Sequence, residues 1–82
     1  MVLEVAPLDV IPGREADFEA AFAQAAPILA AMPGFLGLEL QRCLERGSRY
    51  LLLVRWQKLE DHTVGFRTAP EYQRWRALLH QF

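Results

Sequence analysis

The order of hydrophobic patterns along this chain, β-α-β-β-α, predicts an α+β fold of the ferredoxin-like kind, with helices on one face of an antiparallel sheet. Three observations carry that expectation. Two segments repeat apolar residues every three or four positions, as amphipathic helices do, and three others alternate or run apolar, as strands do. The third of those strands is apolar on both of its faces. The 82 residues form one domain, 1–82, with no repeat, linker or low-complexity stretch.

Val2 to Val10 mixes β-branched and polar residues and reads as the first strand. Pro7 cannot donate to a ladder, so it belongs at a bulge or where the strand lacks a partner. Pro12-Gly13 then marks a turn. From Arg14 to Met32, the positions Phe18, Ala21, Phe22, Ala25, Leu29 and Met32 share one helical face. Glu15, Asp17 and Glu19 lie near the positive end of that helix, and Pro27 should kink it or end its first part.

Phe35 to Glu45 alternates, with Leu36, Leu38, Leu40 and Leu44 facing one way and Gly37, Glu39, Gln41 and Cys43 the other. A short "ERGS" connection, with Gly47 available for positive φ, turns the chain back. Tyr50 to Trp56 is the next strand, apolar except for Arg55. A first helical piece follows, with Leu59, His62, Thr63 and Phe66 on one face. Pro70 opens the last helix, where Tyr72, Trp75, Leu79 and Phe82 align. A ferredoxin-like sheet receives a further strand after that helix, so the native chain is expected to continue past Phe82.

Two helices cover one sheet face. The third strand places Tyr50, Leu52, Val54 and Trp56 on one side, and Leu51 and Leu53 on the other. Both sides call for burial, so the uncovered face is expected to pack against a second copy in a homodimer.

The remaining composition excludes several classes. Formal net charge is −1, and the eight arginines are spread among acidic residues, which argues against nucleic acid as a partner. No apolar run spans a membrane, the first residues lack the basic region of a signal peptide, and a cytoplasmic location is the default. Cys43 is the only cysteine, so no intrachain disulfide forms. His62 and His80 have no Cys or carboxylate at ligand spacing, so no metal site is expected.

The segments "VIPGREADFEAAFAQA", "MPGFLGLEL", "RYLLLVRW" and "EDHTVGFRTAPEYQRW" together resemble the antibiotic biosynthesis monooxygenase superfamily over nearly the whole chain. The resemblance implies a dimeric α+β barrel and a ligand site between helices and sheet. Some members of the superfamily oxidise polycyclic phenols to quinones with O2 and neither metal nor flavin, and others degrade haem. The haem-degrading pattern of asparagine, tryptophan and histidine is not matched. This chain has no asparagine, with Phe66 at the tryptophan position and Arg76 at the histidine position. The Glu-x-Trp of quinol-oxidising relatives reads Val54-Arg55-Trp56, which keeps the aromatic and loses the carboxylate.

The expected activity is therefore a cofactor-independent oxygenation of an aromatic or polyphenolic small molecule. His62, with an ordinary pKa near neutrality, is the candidate base. Tyr72 is the candidate hydrogen-bonding group, and Trp56, Phe66 and Trp75 are the candidate walls. Arg55 is either an ion-pair partner across the dimer interface or an anchor for an anionic substrate. The alternative is a non-catalytic dimeric ligand-binding or structural module of the same fold.

Overall fold

The computed structural model describes residues 1–61 and 64–82. Its elements are β1 (Val2–Asp9), α1 (Glu15–Ala30), β2 (Phe35–Arg42), β3 (Arg49–Trp56), a π-helical turn (Asp61–Phe66) and α2 (Pro70–Leu79). The sheet order is β1-β3-β2, with both outer strands antiparallel to β3. This is the β-α-β-β-α arrangement that the patterns predict. Among the described residues, no helix is long and apolar enough to cross a membrane.

β3 is central because its residues find burial on both sides. Tyr50, Leu52, Val54 and Trp56 are sealed beneath the helices, while Arg49, Leu51, Leu53 and Arg55 are half-buried on the outer face. Phe18, Phe22 and Leu29 of α1 cover the inner row, with Val10 and Phe66 completing the cluster. Ala25 has no exposed surface, a small side chain at the point where α1 meets the core. Phe18 joins the elements, with its ring 4.9 Å from Tyr50 and 6.2 Å from Phe82.

Local chemistry starts and stops the elements. Gly13, at φ +93°, donates its N–H to Glu15 Oε1 at 3.0 Å and turns the chain into α1. α1 continues through Pro27 to Ala30. The proline has no N–H for the carbonyl of Ala23, a loss tolerated near an exposed helix end. Gly34 turns α1 towards β2 at φ +83°, and a Cβ there would lie 2.0 Å from Asp61 Oδ2. The same Asp61 oxygen accepts the Lys58 N–H at 3.0 Å, which closes the chain into the π-helical turn. Pro70 occupies the first turn of α2.

Several details depart from the sequence pattern. Phe35 pairs with Trp56 but Gly37 pairs with Arg55, so Leu36 is an extra residue in a β-bulge. The bulge shifts the alternation: Leu36 is 52% exposed, whereas Leu38 and Leu40 pack on the core. Leu44 is exposed because β2 ends at Arg42, and positive φ occurs at Gly13 and Gly34 rather than Gly47. Leu59 is exposed and precedes the π-helical turn, which begins at Asp61. Pro7 lies on the edge strand, opposite Leu51.

The inner row holds a titratable group. The Tyr50 hydroxyl donates to Glu19 Oε2 at 2.5 Å. Burial, and then that bond to Glu19, push the phenol up from 10.0 to about 12. A raised folded-state pKa stabilises the protein below the unfolded value, and that contribution is lost as pH climbs through the folded value. We therefore expect wild-type stability to fall between pH 10 and pH 12 more steeply than that of Tyr50→Phe. Denaturation midpoints of the two proteins across that window check this.

Candidate functional site

β1 alternates so that Val2, Glu4, Ala6 and Leu8 face the helices, while Leu3, Val5, Pro7 and Asp9 face away. Ala6 is the smallest of the inward residues, and room remains between this row and α2. A cavity of about 500 Å³ occupies that space, with Glu4, Leu52, Phe66, Tyr72, Trp75 and Arg76 among its lining residues.

Its aromatic wall is organised around Phe66, which is 4% exposed. The Phe66 ring lies 5.2 Å from Tyr72 and 5.9 Å from Trp75, both edge-on. Behind it, Trp56 sits 6.1 Å away in a tilted arrangement. Such offset and edge-to-face pairs are the favoured aromatic geometries. Trp75 also meets Phe22 edge-on at 5.9 Å, which anchors α2 to α1. The Arg67 guanidinium carbon lies 5.9 Å from the Tyr72 ring centre, and Arg67 also lines the cavity.

The polar groups lie towards the two ends. At one end the Trp56 indole N–H donates to Glu4 Oε1 at 3.1 Å. Towards the other, Arg76 of α2 and His80, which caps that helix, are exposed lining residues. Asp9 is also a lining residue, but its side chain belongs to the outer side of the sheet, where Arg49 grips its carboxylate at 2.8 and 3.1 Å. The Arg49 guanidinium holds the Asp9 carboxyl below its ordinary value, chiefly through that hydrogen bond.

The expected site residues separate. Phe66, Tyr72 and Trp75 come together on the cavity wall. Trp56 is fully buried behind Phe66 and is not among the lining residues, so it backs the wall instead of forming it. Arg55 projects from the opposite face of the sheet and does not reach the cavity, because it lies one position out of phase with the inward row of β3. Its guanidinium lies across Gly37, where a Cβ would be 2.3 Å from Nη2. The His62 side chain lies outside the described residues.

The residue that pattern reading passes over is Glu4. In the sequence it looks like a polar interruption of an apolar strand. Its phase with Val2, Ala6 and Leu8 is the available signal, and it becomes meaningful once β1 is paired with β3.

A family profile for the antibiotic biosynthesis monooxygenases matches residues 1–78, and the chain belongs to that family. It is 54% identical over 82 residues to the uncharacterised protein YczJ of Bacillus subtilis, covering all of this chain and 86% of YczJ. A crystal structure from Bordetella bronchiseptica, assigned to the same monooxygenases, superimposes with a TM-score of 0.93 at 43% identity. That match covers 96% of this chain and 81% of the other. SnoaB from Streptomyces nogalater, a cofactor-independent oxygenase, shares the fold at a TM-score of 0.72 and 20% identity, over 96% of this chain and 75% of SnoaB.

Phe66 belongs to both core and cavity, whereas Tyr72 is half-buried. Phe66→Ala should cost about 3–5 kcal/mol, the usual range for a buried phenylalanine, and Tyr72→Ala clearly less. Urea denaturation of the two variants checks the order.

Proposed function

We propose that this protein is a monooxygenase that uses O2 on an aromatic or polyphenolic small molecule without a cofactor. The observation that carries the reading is the aromatic-walled cavity between sheet and helices, in a chain of the antibiotic biosynthesis monooxygenase family. Phe66 and Trp75 would hold a flat ring, and Tyr72 would contribute a hydrogen bond at its edge. The reaction needs the ring hydroxyl deprotonated, since the electron-rich anion can pass an electron to O2. A phenol and O2 then yield a quinone and water. The protein's share is to orient the ring, exclude water and take the proton, with His62 proposed as the base.

The assembly proposed is a homodimer built through the outer sheet face. Leu3, Val5 and Leu36 are each more than half exposed there, beside the half-buried Leu51 and Leu53. In that arrangement Arg55 lies at the interface, which accords with its position on the outer face. A cytoplasmic location is proposed with it. The second reading, a non-catalytic dimeric ligand-binding module, is favoured by the missing carboxylate in Val54-Arg55-Trp56.

Oxygen uptake with a panel of quinols and polycyclic phenols separates the two readings. We expect uptake with at least one of them, and a loss on the order of 10²-fold in His62→Ala, the usual scale for general base catalysis. No uptake across the panel, with aromatic ligands still bound, would leave the binding module.

Sedimentation should give twice the 9.4 kDa chain mass at micromolar concentration, and Leu53→Asp should shift it to the monomer. A wild-type monomer would remove the dimer.

A further inference from the structure

We infer that the cavity takes aromatic compounds bearing a carboxylate, which Arg67 and Arg76 hold, so that the site selects the acid over its neutral counterpart. This rests on the aromatic-ligand reading above and adds to it the charge of the ligand.

α2 turns a mixed face to the cavity. Tyr72, Trp75, Arg76 and Leu79 are lining residues related by spacings of three and four, so an arginine stands in a stripe that otherwise supplies rings and a leucine. Arg74, on the same helix, is not among the lining residues. Arg67 reaches the cavity from just before α2, with its guanidinium carbon 5.9 Å from the Tyr72 ring centre. Tyr72 thus has one guanidinium against its ring and a second one helical turn further along its own face.

No carboxylate of the described residues pairs with either cation. The ion pairs among those residues are Arg14–Asp17, Arg42–Glu19 and Arg49–Asp9. Both carboxylates that line the cavity are engaged elsewhere, Asp9 by Arg49 on the outer side of the sheet and Glu4 at the Trp56 end. α2 cannot supply a partner for Arg76, because the residues three and four positions away are Tyr72, Gln73, Leu79 and His80. The Tyr72 ring attracts the Arg67 cation through its π face, which brings no negative charge to neutralise it.

A guanidinium donates hydrogen bonds and accepts none, and its bonds to a carboxylate are roughly twice as strong as neutral ones. A ring seated against Phe66 and Trp75, with its carboxylate towards Arg67 and Arg76, meets both parts of this surface. The reverse placement would set the ligand's acid beside Glu4, and like charges side by side are disfavoured. Arg55 projects from the other sheet face, so these two arginines, and not it, are placed to anchor an anion.

The rival role for an exposed arginine at a cavity mouth is to lay its apolar stem over the wall, and methionine would keep that role. 2-Naphthoate and 2-naphthamide, a carboxylate and its neutral isostere, test the inference by equilibrium dialysis at pH 7. We expect wild type to prefer the naphthoate by about tenfold or more, the scale of a hydrogen bond to a charged group. The double variant Arg67→Met, Arg76→Met should bind the two compounds alike, with its affinity for the naphthamide close to that of wild type. Arg76→Lys keeps the charge and loses the two-pronged geometry, and it should retain part of the preference. Circular dichroism checks each fold; if the double variant does not fold, Arg76→Met decides the matter by a reduced preference. Equal binding by wild type, an undiminished preference in the methionine variants, or an equal loss of both compounds in them would overturn the anion site and leave the aromatic cavity standing. Binding of neither compound by wild type would overturn the aromatic cavity itself, and the anion site with it.

Discussion

Everything in this fold depends on burying the inner row of β3, and two of its four side chains carry a polar atom into the interior. Tyr50 brings a hydroxyl and Trp56 an indole N–H, and a buried donor without a partner is costly. Each is met by a carboxylate from a neighbouring element, Glu19 of α1 for Tyr50 and Glu4 of β1 for Trp56. Among the described residues, no buried side-chain nitrogen or oxygen is left unpartnered. These two bonds pin opposite ends of one strand to the helix that covers it and to the strand beside it.

The two ends are not equivalent. Beside Tyr50, Glu19 lies 3.7 Å from Arg42, whose guanidinium also faces the Tyr50 ring at 5.8 Å. That carboxylate is occupied by a cation and a phenol. Beside Trp56, Glu4 lines the cavity together with the aromatic side chains of Phe18, Phe66, Tyr72, Trp75 and Phe82. The same structural need, an acceptor for a buried ring, thus produces a surface ion-pair cluster at one end and a cavity-lining carboxylate at the other.

The sheet's second face reflects the same strand. Because β3 alternates without interruption, its outer residues Leu51 and Leu53 are apolar where no helix covers them. The bulge in β2 adds Leu36 to that face and brings Gly37 beneath the Arg55 side chain. One inserted residue therefore moves a leucine from core to outer surface, the consequence of a side-chain period of two.

The sequence by itself determined the family, the element order and the two-faced character of β3, because those rest on periodicity and on ordered local segments. It also determined which rings of α2 face inward: Tyr72 and Trp75 share a face at helical spacing, and both meet the core. Only the tertiary structure decided which of these rings line a cavity, since Trp56 and Phe66 look alike in the sequence yet one stands behind the other. It also sent Arg55 to the outer face and threw Leu36 out of phase, through strand register and a bulge that no local pattern records. Glu4 is the clearest case. Its role arises from a partner 52 positions away, and that juxtaposition exists only once β1 lies against β3.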